Sequence, residues 1–212
     1  MLKINYFQSW VSPIVLNGIR HSFCSWDKSD SEFSLRHKKV IEYGEADIAL
    51  MDRLINAGPP HRKFLRQIPI IMDITAPDYW WKQEATYKIG TTENSTSTMH
   101  TIISKEFELS DFSIDEAGNL GWEQIIKDLN ILRDLYLKLS DPEKKERVWR
   151  NIIQLLPMAY NYRRSVSLNA EVLLNMCEQR ASHKLIEWHQ FIDQAKGYWE
   201  KENPNIKIFD KI

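Results

Sequence analysis

Helical periodicity in the second half of the chain constrains the fold more than any other feature of the sequence. From residue 122 to residue 139 the apolar side chains recur every three or four positions, which is typical of an amphipathic helix with one buried face. A second helix is predicted from Asp141 to Leu156, because Asp141 can cap the first turn and Pro142 fits within it. A third, longer helix is predicted from Leu168 to Trp199. The sequence therefore predicts a helix-rich fold with long C-terminal helices.

The first half of the chain is predicted to add a small sheet. Lys3–Phe7 and Pro13–Leu16 have the composition of short strands, and the Ile-rich stretch Phe64–Ile74 has the length of a buried strand. Apolar spacing predicts a helix from Ser34 to Asn56, and a proline at a favoured starting position predicts another over Pro77–Lys88. No repeat and no long linker divides the chain. We therefore expect an α/β fold of the α+β kind, formed by all 212 residues as a single domain.

Charge and hydropathy exclude several classes of protein. The chain has 28 basic and 29 acidic residues, so a broad basic face for DNA or RNA is not expected. The longest apolar run, near Ile68–Ile74, is interrupted by Pro69 and Asp73 and is too short to span a membrane. The N-terminus lacks the apolar block of a signal peptide, and two cysteines cannot form a disulfide framework. We therefore predict a cytoplasmic protein that binds neither nucleic acid polymers nor a membrane.

Three polar features are candidates for function. The segment Gly90–His100 is dense in Thr, Ser and Asn side chains, which grip a phosphate, ribose or base edge in some proteins and form an exposed surface loop in others. Arg180 lies beside an apolar stripe, and is either a helix residue with its charge in solvent or a buried anion-binding group. His183 and Glu187 are four residues apart, on one face of the predicted helix. This spacing suits a metal ion, but a solvated or hydrogen-bonded pair is the preferred interpretation and no metal site is predicted.

Two stretches of the chain resemble the flavin-dependent thymidylate synthases. In that family a strand is followed by proline, an aromatic and apolar run, arginine-glutamine, arginine-histidine-arginine and, seven residues later, a serine. The corresponding residues here are Pro77, Tyr79-Trp80-Trp81, Lys82-Gln83, Thr86-Tyr87-Lys88 and Thr96, with the spacing unchanged.

The second stretch matches the family more closely. The family has leucine-proline, eleven residues, asparagine-alanine-arginine, a leucine pair, asparagine, leucine-arginine, and then histidine and glutamate. The corresponding residues here are Leu156-Pro157, Asn169-Ala170-Glu171, Leu173-Leu174-Asn175, Gln179-Arg180, His183 and Glu187. The interval from Arg180 to His183 is one residue shorter than in the family.

The resemblance implies a homotetramer with an active site shared between subunits. It implies reductive methylation of dUMP to dTMP, in which methylene-tetrahydrofolate supplies the carbon and FAD supplies the hydride. The catalytic residue would be Arg180, in contact with the uracil ring. The other implied ligand-binding residues are Gln83, Thr96, Ser97 and Thr98 for the nucleotide, and Thr86, Tyr87, Lys88, Asn169 and Asn175 for the flavin.

Several family arginines are replaced in this chain. Thr86 and Tyr87 stand where the family has arginine and histidine, Thr98 where it has a phosphate-binding arginine, and Glu171 where it has the arginine of asparagine-alanine-arginine. Because arginine–phosphate contacts are strong, flavin binding is expected to be weaker than in the family. Three hypotheses follow: a flavin-dependent nucleotide methylase, a non-catalytic descendant that binds a nucleotide or a partner, and a structural interaction protein with a chance motif match.

Overall fold

The computed structural model describes residues 1–34, 36–115 and 121–210. Its main sheet is antiparallel, with the strand order β1-β4-β6-β5, and a separate hairpin joins β2 to β3. The strands are β1 (Lys3–Ser9), β2 (Glu32–Ser34), β3 (Lys39–Glu42), β4 (Pro69–Pro77), β5 (Thr92–Ser95) and β6 (Asn161–Asn169). The helices are α1 (Pro13–His21), α2 (Glu45–Asn56), α3 (Asp78–Glu84), α4 (Thr98–Thr101), α5 (Trp122–Lys138), α6 (Pro142–Leu155), α7 (Ala170–Arg180) and α8 (Ile186–Glu202). This helix-rich architecture with a small antiparallel sheet confirms the predicted fold class.

One face of the sheet is buried and the other is open. Along β4, Ile70, Met72 and Ile74 are almost completely buried, whereas the alternating residues Ile71 and Asp73 are partly exposed. This alternation follows from the two-residue period of a strand. The buried face belongs to one large core that also contains the following residues of α3, α7 and α8: Trp80, Trp81, Leu173, Leu174, Trp188, Phe191 and Trp199.

Helix α8 protects the outer strand of the sheet. The backbone N–H groups of Leu2 and Ile4 donate to the Oε1 atoms of Gln190 and Gln194, at 3.0 and 2.8 Å. Gln194 also donates to the carbonyl of Leu2 at 3.2 Å. The two glutamines lie one helical turn apart. Their side chains therefore reach successive backbone N–H groups on the edge of β1 that has no neighbouring strand among the described residues.

The helical hairpin α5–α6 encloses a second, smaller core. Leu129 and Ile152 pack there with Phe107 and Phe112, and all four side chains are buried. Both helices lie within one residue of their predicted bounds. Asp141 caps α6 as predicted, since its Oδ1 accepts from the N–H groups of residues 143 and 144, at 3.0 and 3.3 Å. None of the described helices is both long and apolar enough to cross a membrane.

The prediction of one helix from Leu168 to Trp199 was wrong. Residues 161–169 form strand β6, and a turn at residues 181–185 separates α7 from α8. Asn169 marks the first boundary, because its side chain accepts from the N–H of Val172 and caps α7. His183 marks the second, because its Nδ1 accepts from the N–H of Leu185 at 3.1 Å. Local polar side chains thus compete with a continuous helix.

Three predictions in the first half were also wrong in part. Pro13 begins helix α1 rather than a strand, as proline in a first turn allows. The predicted helix over residues 34–56 is a hairpin followed by α2, since Gly44 precedes the helix and the Asp30 carboxylate accepts from the N–H groups of Ala46 and Asp47. The predicted strand over 64–74 is a 3-10 helix, Lys63–Gln67, followed by β4.

Other bounds differ less. Helix α3 begins one residue after Pro77 and ends at Glu84, four residues before its predicted end. The predicted polar loop Gly90–His100 contains β5 and the short helix α4, because β5 gains backbone partners on β6 that the sequence alone does not reveal. Residues 35, 116–120 and 211–212 of the predicted single domain lie outside the described residues.

Candidate functional site

Arg180, at the end of α7, lies beside two aromatic rings that contact each other edge to face. Its Cζ atom lies 5.5 Å from the ring centre of Tyr87 and 5.0 Å from that of Trp188. Its Nε donates to the Tyr87 hydroxyl at 2.9 Å, and Nη2 lies 3.5 Å from the Thr86 hydroxyl. The indole N–H of Trp188 donates to Oε1 of Gln83 at 3.2 Å. We call these five residues the Arg180 cluster.

The Arg180 cluster combines four of the residues that the sequence nominated. Gln83 and Thr86 lie on or just after α3, Tyr87 follows them, and Arg180 comes from α7. Within the described parts of the chain, no carboxylate lies within ion-pair distance of Arg180. A guanidinium that is stacked on rings and has donors to spare is suited to a carbonyl oxygen or an anion. Sequence reasoning missed Trp188, because only the turn between α7 and α8 brings it under Arg180.

His183 and Glu187 have structural contacts instead of a common helix face. His183 lies in the turn before α8, where burial, Arg180 and His189 together lower the pKa of its imidazole. Glu187 is buried in α8 and accepts a short hydrogen bond from the Tyr79 hydroxyl. The hydrogen bonds of His183 and Glu187 are thus made with other residues and not with each other.

Thr96, Ser97 and Thr98 lie at a different place. Thr96 and Thr98 line a cleft of about 400 Å³ together with residues of the segment 101–111 and the beginning of β6, and Arg180 is not among its lining residues. Thr96 pairs through its N–H with the carbonyl of Arg163 at 3.0 Å. Ser97 precedes α4, and its carbonyl accepts from the Thr101 hydroxyl.

Of the predicted flavin residues, Asn169 lies at the other end of β6. Asn169 ends this strand and lines a second cleft, of about 500 Å³, with Gly90. Asn169 is six positions along the strand from Arg163, the backbone partner of Thr96, so Asn169 and Thr96 lie about 20 Å apart along the strand. Lys88 and Asn175 are exposed.

Glu171 is neutralised within the protein. Although it stands where the family has arginine, it is buried, and both its oxygens accept from Nε of Arg62, at 3.2 and 3.0 Å. Arg62 also lies 3.4 Å from Glu178, which is 40% exposed. The negative charge of Glu171 therefore holds the Lys63–Gln67 segment against α7 and does not face a ligand.

The motif residues do not fit the phosphates of FAD in the way that the resemblance implies. The Thr86 hydroxyl donates to the carbonyl of Gln83 at 2.8 Å, and the Tyr87 hydroxyl is occupied by Arg180. The Asn169 oxygen is used to cap α7. Lys88 is thus the one cation among the three residues that replace the family's arginine-histidine-arginine.

A buried acid, Glu84, lies next to a partly exposed one, Glu93, and the sequence did not indicate this pair. Glu84, at the end of α3, is 1% exposed, and Glu93 of β5 is its hydrogen-bonding neighbour. Burial, followed by the contact with Glu93, raises the pKa of Glu84 to about 9. Arg164 donates to Glu93 at 2.6 Å and stacks on Trp81 with Cζ 4.5 Å from the ring centre. Glu84 is therefore a neutral acid at neutral pH.

The chain has the fold of the flavin-dependent thymidylate synthases. A structure of the Helicobacter pylori flavin-dependent thymidylate synthase complexed with FAD and dUMP matches it with a TM-score of 0.69 and 19% identity, covering 99% of this chain and 97% of that one. A second structure of the enzyme from that organism, also with FAD and dUMP, matches with a TM-score of 0.66 and 17% identity, covering 97% and 98%. No protein-family model and no curated protein matches the sequence.

Proposed function

We propose that the chain is a divergent member of the flavin-dependent thymidylate synthase family that binds a deoxyuridylate-like nucleotide, with its base against Arg180. The observation that carries the proposal is the Arg180 cluster, in which a guanidinium is stacked on two rings and has no carboxylate partner among the described residues. The similarity to two structures that contain dUMP supports this choice of ligand.

Within this proposal Arg180 donates to a carbonyl oxygen of the uracil ring and stabilises negative charge there. Gln83 accepts a hydrogen bond from the Trp188 indole and so fixes the ring against which the Arg180 guanidinium packs. Uracil presents two carbonyl acceptors, which match a donor-only guanidinium. A partly dehydrated arginine also gains more from such a partner than an arginine in bulk water does.

We further propose a cytoplasmic homotetramer built from single-domain chains. In one chain, about 20 Å of strand separates the end of β6 that holds Thr96 from the end that holds Asn169. Two ligands in contact with each other can reach the Thr96 end and the Asn169 end together more easily if the two ends come from different subunits. The resemblance implies an active site that is shared between subunits in this way.

The second candidate function is reductive methylation of dUMP to dTMP, with FAD and methylene-tetrahydrofolate as the other reactants. The retention of Arg180 and Gln83 in the family's order favours it. The misfit at residues 86–88 opposes tight flavin binding by the family's own motif. An absorbance spectrum of the purified protein distinguishes the two functions, because bound oxidised flavin absorbs in the near ultraviolet and the blue.

The nucleotide proposal is tested by titration calorimetry with dUMP. Arg180→Ala should weaken binding at least tenfold, because a hydrogen bond from a charged donor contributes about 1.5–3 kcal/mol. Arg150→Ala, which removes an exposed arginine from α6, is the matched control and should bind like the wild type. Equal affinity of all three proteins, or no binding by the wild type, would refute the role of Arg180.

A further inference from the structure

The cleft at Gly90 is lined by hydrogen-bond donors and carries a positive charge. We call it the Gly90 cleft; its volume is about 500 Å³, and its polar side chains are Arg66, Gln67, Thr91, Thr92, Ser167 and Asn169. Of the described residues that line it, Arg66 alone is charged. No carboxylate of the described residues lies within ion-pair distance of Arg66. The cleft therefore presents an unneutralised guanidinium to solvent.

The protein holds the segment that carries Arg66 in a fixed position. Arg62, one helical turn earlier, forms the buried ion pair with Glu171. Leu65 and Ile68 are completely buried on either side of Arg66, and the carbonyl of Ile68 accepts from the N–H of Ala170 at 3.0 Å. Arg66 thus projects from a segment that is fastened to the beginning of α7, and the ordering of its backbone costs nothing further when a ligand binds.

On the opposite wall of the cleft, Gly90 packs closely against Val172 and Asn169 at the beginning of α7. Gly90 has a φ of +84°, and a Cβ there would lie 3.1 Å from Cγ2 of Val172 and 3.5 Å from Nδ2 of Asn169. The oxygen of Asn169 caps α7, which leaves its Nδ2 group as a donor toward the cleft. The Ser167 and Thr92 hydroxyls lie opposite each other on neighbouring strands.

We propose that the Gly90 cleft binds the pyrophosphate of a dinucleotide, with Arg66 in place of the arginines that are missing at residues 86 and 171. A guanidinium with amide and hydroxyl donors around it matches the oxygens of a phosphate in charge and geometry. The proposal rests on the proposed function only in assuming that this fold serves a nucleotide-type ligand. The Gly90 cleft follows the Thr86–Lys88 segment directly in the sequence. It would therefore let a chain whose cofactor motif has lost its arginines still bind the phosphates of the dinucleotide.

The test compares ligands that differ in phosphate content. Flavin fluorescence is used to titrate FAD, FMN and riboflavin into the wild type and Arg66→Gln, and calorimetry is used for inorganic pyrophosphate. Arg66→Gln should weaken FAD and pyrophosphate binding about 10- to 100-fold, while riboflavin, which has no phosphate, should bind both proteins equally. Lys63→Gln removes an exposed cation from the same segment, outside the cleft, and should have no effect.

Several outcomes would overturn the proposal. It fails if Arg66→Gln binds FAD and pyrophosphate as the wild type does, or if the wild type binds neither at millimolar concentration. It also fails if only dUMP binding depends on Arg66, since the phosphate would then be that of the mononucleotide. Thermal unfolding confirms that each variant is folded. The two proposals can fail separately. The proposed function depends on the loss of dUMP binding in Arg180→Ala, whereas this inference depends on the loss of FAD and pyrophosphate binding in Arg66→Gln.

Discussion

Glu84 links the pH of the solution to the stability of the fold. Its carboxyl is buried at the end of α3, where Glu93 is its neighbour and Arg164 neutralises Glu93. The raised pKa means that the folded protein keeps the Glu84 proton while the unfolded chain loses it. The contribution of Glu84 to stability is therefore fully present below pH 4.5, declines as the pH rises, and reaches its lowest value above about pH 9.

We therefore predict that Glu84→Gln stabilises the protein in a pH-dependent way. The amide stays neutral at every pH and can still donate to Glu93. The gain over the wild type should be near zero at pH 5 and roughly 2–4 kcal/mol at pH 8, since one pKa unit corresponds to about 1.4 kcal/mol. Urea unfolding at several pH values measures it, and Glu200→Gln, at an exposed position of α8, serves as control. Parallel pH profiles of wild type and Glu84→Gln would contradict a protonated Glu84.

At the scale of elements, the Lys63–Gln67 segment is held on α7 by one buried ion pair. Glu171→Gln leaves the buried Arg62 with only the half-exposed Glu178, at 3.4 Å. Removing one partner of a buried pair costs about 3–5 kcal/mol, so this variant should be strongly destabilised. Glu178→Gln removes the exposed partner and should cost less than about 1 kcal/mol. Denaturant unfolding compares them, and similar losses for the two variants would show that Arg62 is not fixed by Glu171.

Amphipathic helices were predictable from the sequence, but contacts between elements were not. Helices α5 and α6 depend on local spacing and on a cap at Asp141, and both were predicted within one residue. Strand β6 was missed because its backbone pairs with β4 and β5, which are far away in the sequence. In the candidate site, the motif spacing nominated Arg180 and Gln83, whereas Trp188, Arg66 and Glu84 were missed because their surroundings exist only after folding.

At the scale of the whole molecule, the described residues place no second layer over one face of the sheet. Tyr6 and Ile71 are 51% and 39% exposed on it, beside the ion pair of Asp73 and Arg163. We predict an obligate oligomer, and specifically a tetramer, since exposed aromatic and aliphatic groups on a sheet favour association. Light scattering at micromolar concentration measures the mass. A monomer at that concentration would remove the shared-site arrangement.

The most direct test of the central claim is saturation-transfer NMR on dUMP. Irradiation of the protein's ring protons should transfer saturation most strongly to H5 and H6 of uracil, because the proposal places the base against Arg180, beside the rings of Tyr87 and Trp188. The transfer should disappear in Arg180→Ala and persist in Arg150→Ala. Absence of transfer in the wild type, or equal transfer to the base in Arg180→Ala, would contradict a nucleotide site at the Arg180 cluster.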